Sequence, residues 1–532
     1  MMRVFAATPL GSMLAASTVG AWLLLGAGAG HAQTLQRGGT LIFSVTGQPD
    51  TYDCHATPGV AAMHRLSPHY SLLIRIDPDR YPAIAGDVAQ SWEVSSDQLT
   101  YTFHLHRNVL FHDGSPLTAA DVRATFERLR NPPQGIVSLH KALFEDVTAI
   151  ETPDPATVIF RLSRPNAAFL TILAGPFNCL YSARQLAADP TFPVRNVMGS
   201  GPFRFVEQVA GSHWVGRRFD QYFVEGRPYL DGFRAIDLAG AALVNALIAG
   251  QTMADFRGLG PAERDRIVAS RGDAVRIVES PWVAMLTLTF NTRRRPFDDV
   301  RVRRALTLAI DRWAGAGPIG RLTFFTTVGG FLRPGYALAR SDEELAAFPG
   351  FGRDIAASRA EARRLLAEAG VPNLTFTFAN RSVYTPQGIF LIDQWRQIGV
   401  TVRHELLENT AYFATRRDGT YEVIVDASNE YVDEPSIQLA QYLSVDRAPG
   451  NISGATDRTL DSLFDRQARA TDPADRRAAV RAFEARLLEQ AYSVPFLWSR
   501  RIVPLAAAVQ GYVVTPSYYL AQDLSAVWLR QP

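Results

Sequence analysis

The residues best placed to do chemistry are four carboxylates, Asp426, Glu430, Asp433 and Glu434, crowded with Tyr431 into the stretch "DASNEYVDEPS" (426–436). The apolar run "YEVIV" (421–425) precedes it and the helical pattern "SIQLAQYL" (436–443) follows. A loop at the carboxyl end of a strand is where open α/β sheets hold ligands, and carboxylates there could pair with an ammonium or another cation. An exposed acidic turn ended by Pro435 explains the same spacing, and spacing alone leaves both open. His104 and His106 share one strand face with Thr100 and Thr102, near His112. With no Cys or further His nearby, they read as solvated strand histidines rather than a metal site. No GxSxG, HExxH or GxxxxGK[ST] motif occurs, so serine-hydrolase, zincin and P-loop chemistry lack their local signature. Nothing nominates an enzyme, a metal or a cofactor.

The elements that must position these residues alternate between strand and helix, the pattern of α/β domains. "GGTLIFSV" (38–45) reads as a strand. "QLTYTFHLH" (98–106) puts Leu99, Tyr101, Phe103 and Leu105 on one face, as a half-exposed antiparallel strand does. "TAADVRATFERL" opens with a capping box, Thr118 and Asp121, and buries Val122, Phe126 and Leu129. "DPATVIFRLS" (154–163) is a turn and strand, and "RAEARRLLAEAGVP" (359–372) is a helix stopped at Gly370 before the strand "NLTFTF". Asp472 and Pro473 start a last helix that turns Val480, Phe483 and Leu487 inward, and "YSVPFLW" (492–498) is the strand after it. The arginine-rich "RPFDDVRVRRALTLAIDR" (295–312) carries one apolar stripe, Val302, Ala305, Leu306, Ala309 and Ile310. Its arginines, Arg301, Arg303, Arg304 and Arg312, are expected on a solvated side, with Asp298 and Asp299 facing the helix dipole.

The totals narrow the class. The 532 residues exceed one core, and the composition, 47% apolar and 20% charged, is that of a folded soluble protein. A formal net charge of +2 argues against a nucleic-acid binder. Residues 1–32 end in Gly30-His31-Ala32 after a short Gly/Ala-rich apolar run, the pattern of a cleaved secretory signal with Gln33 as first mature residue. No Cys follows the cleavage site, so a lipid anchor is not expected. Export would place the two cysteines, Cys54 and Cys179, in an oxidising compartment; the sequence leaves a disulfide and two buried thiols equally open.

Several stretches resemble one family. "SWEVSSDQLTYTFHLHRNVLFHDGSPLTAADVRATFERL", "DPATVIFRLSRP", "GSGPFRF" and "NTRRRPFDDVRVRRALTLAIDR", followed in order by "LLAEAG", "QIGVTV" and "VPFLW", look like the family 5 extracellular solute-binding proteins of ABC transporters, the dipeptide-, oligopeptide- and nickel-binding type. The resemblance implies a two-lobed α/β periplasmic binding protein fold (type II, cluster C) hinged on two crossing strands. Lobe I would comprise residues 33–280 and 493–532, with an extra subdomain at about 50–180, and lobe II residues 281–492. It implies a non-catalytic periplasmic monomer that closes over a peptide or related small solute and delivers it to an inner-membrane permease and ATPase. In peptide-binding members an Asp soon after a Trp pairs with the ligand ammonium; here Ala427 stands at the Trp position and Glu430 at the Asp position. The missing Trp keeps a non-peptide ligand (metal chelate, opine or sugar) as the alternative, beside a sensor or hydrolase on the same fold. Glu430, Tyr431 and Asp433 are the expected ligand-binding residues, joined by the cleft candidates Arg381, Tyr384, Trp282, Met285 and Trp498.

Overall fold

Two long strands organise the molecule: Val275–Phe290 and, after a long excursion, the return strand Ser493–Ala506, paired antiparallel. The computed structural model describes residues 35–531 except Pro58, so the expected signal peptide lies outside the described residues. The remainder, Gln36 onward, holds together as one unit. Its main sheet has eleven strands. From one edge the order is Thr401–Leu407, Thr375–Arg381, Val423–Asn429, Val275–Phe290, Ser493–Ala506, Ala254–Asp255, Thr40–Val45, Gly232–Asp237, His213–Arg218 and Phe203–Val209, with Phe325–Thr327 paired to the return strand. Parallel and antiparallel pairs mix, as in α/β proteins whose chain returns to an earlier sheet.

Two large hydrophobic cores flank the long strands. The first gathers residues between Leu41 and Ala284 with Val503 to Val527; the second gathers residues between Met285 and Trp498. The first long strand changes core between Ala284 and Met285, and the return strand between Trp498 and Val503. Pairing breaks at the same place: the register shifts between Pro281 and Met285, where Pro281 has no N–H to donate. Val283 N–H bonds instead to the Pro516 carbonyl at 2.8 Å, and the Val283 carbonyl accepts from Glu430 N–H at 3.1 Å. Tyr431 and Val432 pack in the first core although their neighbours in sequence belong to the second.

The expected elements form where the patterns placed them. Thr100–Leu105 alternates with Tyr101, Phe103 and Leu105 buried, and belongs to a separate four-stranded antiparallel sheet with Ala89–Val94, Val147–Asp154 and Thr157–Leu162. The Thr118–Asp121 capping box opens the helix Ala119–Arg130, and Asp472 caps the helix Pro473–Gln490. One expectation fails on the arginine-rich segment, which forms the helix Val300–Leu308 and the start of the helix Arg312–Leu322. Its apolar stripe is buried, but Arg303 on the first and Arg312 on the second are buried too rather than solvated. Arg303 donates to the carbonyls of Phe297, Asp298 and Gln490, and Arg312 to those of Pro495 and Gly350. A guanidinium has donors enough to satisfy several carbonyls left over at loop and helix ends, which outweighs the cost of burying it.

Cys54 and Cys179 form a disulfide with an S–S distance of 2.06 Å and Cα atoms 6.1 Å apart. It closes a 125-residue loop that contains the four-stranded sheet. Cross-linking a loop of that length removes much of the unfolded chain's freedom, so Cys54→Ser/Cys179→Ser should lose about 2–5 kcal/mol of unfolding free energy; urea denaturation checks this, and an unchanged midpoint would contradict it.

Candidate functional site

The segment "LTLTF" (286–290) within Val275–Phe290 sorts its residues by face. Leu286, Leu288 and Phe290 enter the second core, while Thr287 and Thr289 point the other way. Val423–Asn429 pairs with it so that Asp426 lies opposite Thr287 and Ser428 opposite Met285. The result is a polar sheet face of Thr287, Thr289, Asp426 and Ser428, extended by Ser493, whose hydroxyl lies 2.9 Å from that of Thr289. The helix Asn409–Asp418 covers this face, held by the Tyr412 hydroxyl donating to the Val425 carbonyl at 2.6 Å. Its last turn brings Arg416 to within 3.4 Å of Asp426. Between helix, sheet and the turn at Gly450–Ile452 lies a cavity of about 190 Å³, bounded also by Ala427, Glu430 and Tyr442.

The acidic stretch is thus part strand and part loop: Asp426 to Asn429 continue the ladder, Glu430 to Glu434 form the connection, and Pro435 opens a short helix. Three of its four carboxylates have partners. Asp426 accepts from Arg381 at 3.2 Å and faces Arg416. Asp433, buried, accepts from Arg333 at 2.7 Å and from the Tyr81 hydroxyl at 2.9 Å. Glu434 pairs with Arg476 and caps Ser436 N–H. The Glu430 carboxyl has no ion pair or hydrogen bond among the described residues. Removal from water, uncompensated, pushes its pKa up to about 7. The Asp426 carboxyl is also raised by burial, against the lowering pull of Arg416 and Arg381.

The other expected site residues divide. Arg381 lies beside Asp426, donates to the Tyr384 hydroxyl at 2.7 Å, and stacks against Tyr384, Tyr412 and Phe413 with its carbon 4.8–5.3 Å from each ring centre. Arg381 and Tyr384 therefore stand behind the cavity wall and position Asp426. Tyr431 packs its ring 5.7 Å from that of Phe177 in the first core. Met285 is buried in the second core, and Trp498, buried there too, donates its indole N–H to the Gly330 carbonyl at 2.9 Å. Trp282 lies between Tyr518 and Phe324, its indole nitrogen buried without a partner. Asp433 ties Tyr81 of a first-core loop to Arg333 of the second.

The model of "Bacterial extracellular solute-binding proteins, family 5 Middle" matches residues 83–450. The chain belongs to this family. Family 5 members are binding proteins rather than enzymes. The glutathione-binding protein GsiB of Salmonella choleraesuis is 29% identical over 359 residues, 66% of this chain and 66% of that relative, so the match spans just under two thirds of its length. The dipeptide-binding protein of Escherichia coli K12 is 25% identical over 516 residues, 90% of this chain and 92% of the relative. Among solved structures, the periplasmic binding protein AgaA of A. tumefaciens R10, in complex with agropinic acid, superimposes with a TM-score of 0.76 at 26% identity, covering 93% of this chain and 99% of that one.

Within this family 5 chain, sequence reading reached Glu430 and missed Arg416, Tyr442, Thr287, Thr289 and Ser493 as cavity residues. The Thr alternation in "LTLTF" was the available signal; Arg416, on a different element, left none. Two consequences follow from the burial of the acids. Glu430 has a folded pKa above its unfolded value, so its contribution is favourable below about pH 4.5 and is lost as pH rises through 7. Unliganded Glu430→Gln should therefore be more stable than the parent at pH 8, by on the order of 3 kcal/mol at most, with the gap closing by pH 4.5; thermal melts across that range decide it. Asp433→Asn strands the buried Arg333 without its counter-charge and should cost about 3–5 kcal/mol in urea denaturation.

Proposed function

We propose that this chain is the solute-capturing subunit of a periplasmic ABC importer, a peptide or related small solute being held at the Glu430 cavity while two lobes close over it. The observation that carries this reading is Glu430, the one carboxylate of the acidic stretch without a partner among the described residues, set beside a cavity of about 190 Å³ at the point where the chain passes from one core to the other. An uncompensated acid in such a place costs stability in the empty protein, and a ligand cation or donor would remove that cost. Lobe I is residues 33–280 and 493–532 and lobe II residues 281–492, with the two long strands flexing where their pairing breaks near Pro281. Residues 1–32 direct export and are cleaved, and the mature protein works as a monomer with an inner-membrane permease and ATPase.

A non-peptide ligand is the second reading. It is favoured by the absence of an aromatic side chain at Ala427, where peptide-binding members carry a Trp, and by the polar lining of the cavity. The similarity to AgaA, solved with agropinic acid, supports it. Small-angle scattering across a panel of peptides and polar metabolites tests the proposal. A bound solute should shrink the radius of gyration, and Glu430→Gln should weaken that solute at least tenfold. Unchanged scattering with every solute would overturn the binding-protein reading, and peptide affinity untouched by Glu430→Gln would overturn the assigned site.

A further inference from the structure

The antiparallel hairpin of Ile74–Ile76 and Ile84–Gly86 carries Tyr81 in its turn. The turn is braced from within. Asp77 N–H bonds to the Ala83 carbonyl at 2.7 Å, Ala83 N–H to that of Arg80 at 2.9 Å, and Arg80 pairs with Asp77 at 2.7 Å. Tyr81 is therefore presented on a preformed support, with its ring against the first core. Its hydroxyl donates to Asp433 Oδ2 at 2.9 Å and accepts from Asp433 N–H at 2.8 Å. One phenol thus spends its donor and an acceptor site on a single residue of the acidic segment. Arg333, next to Leu332 of the second core, holds the same carboxylate oxygen at 2.7 Å.

The residues before Asp433 are gripped in the same manner. By chain order they belong to lobe II, yet Tyr431 and Val432 pack in the first core, Tyr431 against Phe177. Asn429 donates its side-chain amide to the Tyr518 hydroxyl. A further contact joins the chain just after the four-stranded sheet to the helix Arg458–Arg469, where Ala167 N–H donates to the Ala468 carbonyl at 2.8 Å. Each of these bonds runs between lobe I and lobe II, and each is made by the chain's own groups.

Resting on the reading of two lobes that close over a solute, we propose that Tyr81 is a clasp, a positioning residue that holds the lobes together in the unliganded protein and sets how readily they part. Separation at Asp433 breaks both phenol hydrogen bonds at once, one of them to a carboxylate. A hydrogen bond to a charged group shifts an equilibrium by roughly tenfold or more. Arg333 stays with Asp433 on lobe II, so parting the lobes leaves no buried charge unpaired and exchanges only the tyrosine for water. The clasp is reversible for that reason, and it acts on the segment that begins at Glu430.

Spin labels on Ser96→Cys and Ser462→Cys, exposed residues of lobe I and lobe II, test this. The full protein is stripped of any carried solute by unfolding in urea and refolding, and the label separation is read by double electron–electron resonance. The parent should lie mostly at the short separation of the present structure. Tyr81→Phe, which keeps the ring and loses the hydroxyl, should lower the short-to-long ratio at least tenfold with the melting temperature unchanged. Tyr81→Glu, which sets a like charge against Asp433, should leave the long separation dominant. A parent already mostly at the long separation overturns the clasp. So does a ratio that Tyr81→Phe leaves unchanged, and if its melting temperature falls as well, Tyr81 serves packing alone. The two-lobe reading survives either result wherever Tyr81→Glu shows the long separation. If all three proteins keep only the short separation, the lobes do not part, and that reading falls together with the clasp.

Discussion

The antiparallel pairing of Val275–Phe290 with Ser493–Ala506 is the constraint on which everything else rests, because each strand contributes to both hydrophobic cores. Continuous pairing would weld the two cores into one stiff sheet. The ladder instead breaks at Pro281, where no N–H is available, and the freed groups at Val283 are satisfied by Pro516 and Glu430. The backbone hydrogen bonds near the break are thus made from outside the pair, to Pro516 and to the end of the strand Val423–Asn429.

The carboxylates of 426–434 show how burial assigns different work to like residues. Asp426, Asp433 and Glu434 each face an arginine from another element, and these pairs fix the helix Asn409–Asp418, the Tyr81 loop and the helix Pro473–Gln490 against the segment. Their charges are consumed by structure. Glu430 is left without a partner beside a cavity, and removal from water raises its pKa to about 7. A perturbed, unpaired acid in a concave polar site is a marker of ligand binding on physical grounds, and here it coincides with the residue that the family pattern singles out.

Much of the fold was legible because it rests on local rules. The capping box at Thr118, the Asp472–Pro473 start, the alternation of Tyr101, Phe103 and Leu105, and the apolar stripe through Val302 and Leu306 depend only on near neighbours in sequence. Where prediction failed, a distant partner decided. Arg303 and Arg312 look like the wet side of a helix until carbonyls from Gln490, Pro495 and Gly350 arrive to take their donors. Met285 is offered as a cleft residue by its place in sequence, and the second core closes over it.

By itself the sequence determined the α/β elements, the family, and the acidic segment with Glu430 as its leading member, since motif order and periodicity are properties of the chain alone. Tertiary structure decided which carboxylates are spent, that Cys54 meets Cys179, and that Thr287, Ser493, Tyr442 and Arg416 share one cavity with Glu430. Those residues are separated by more than two hundred positions from Thr287 to Ser493. Only sheet register and the helix packed over it bring them to one face, and charge pairing across that face determines which acid is left without a partner.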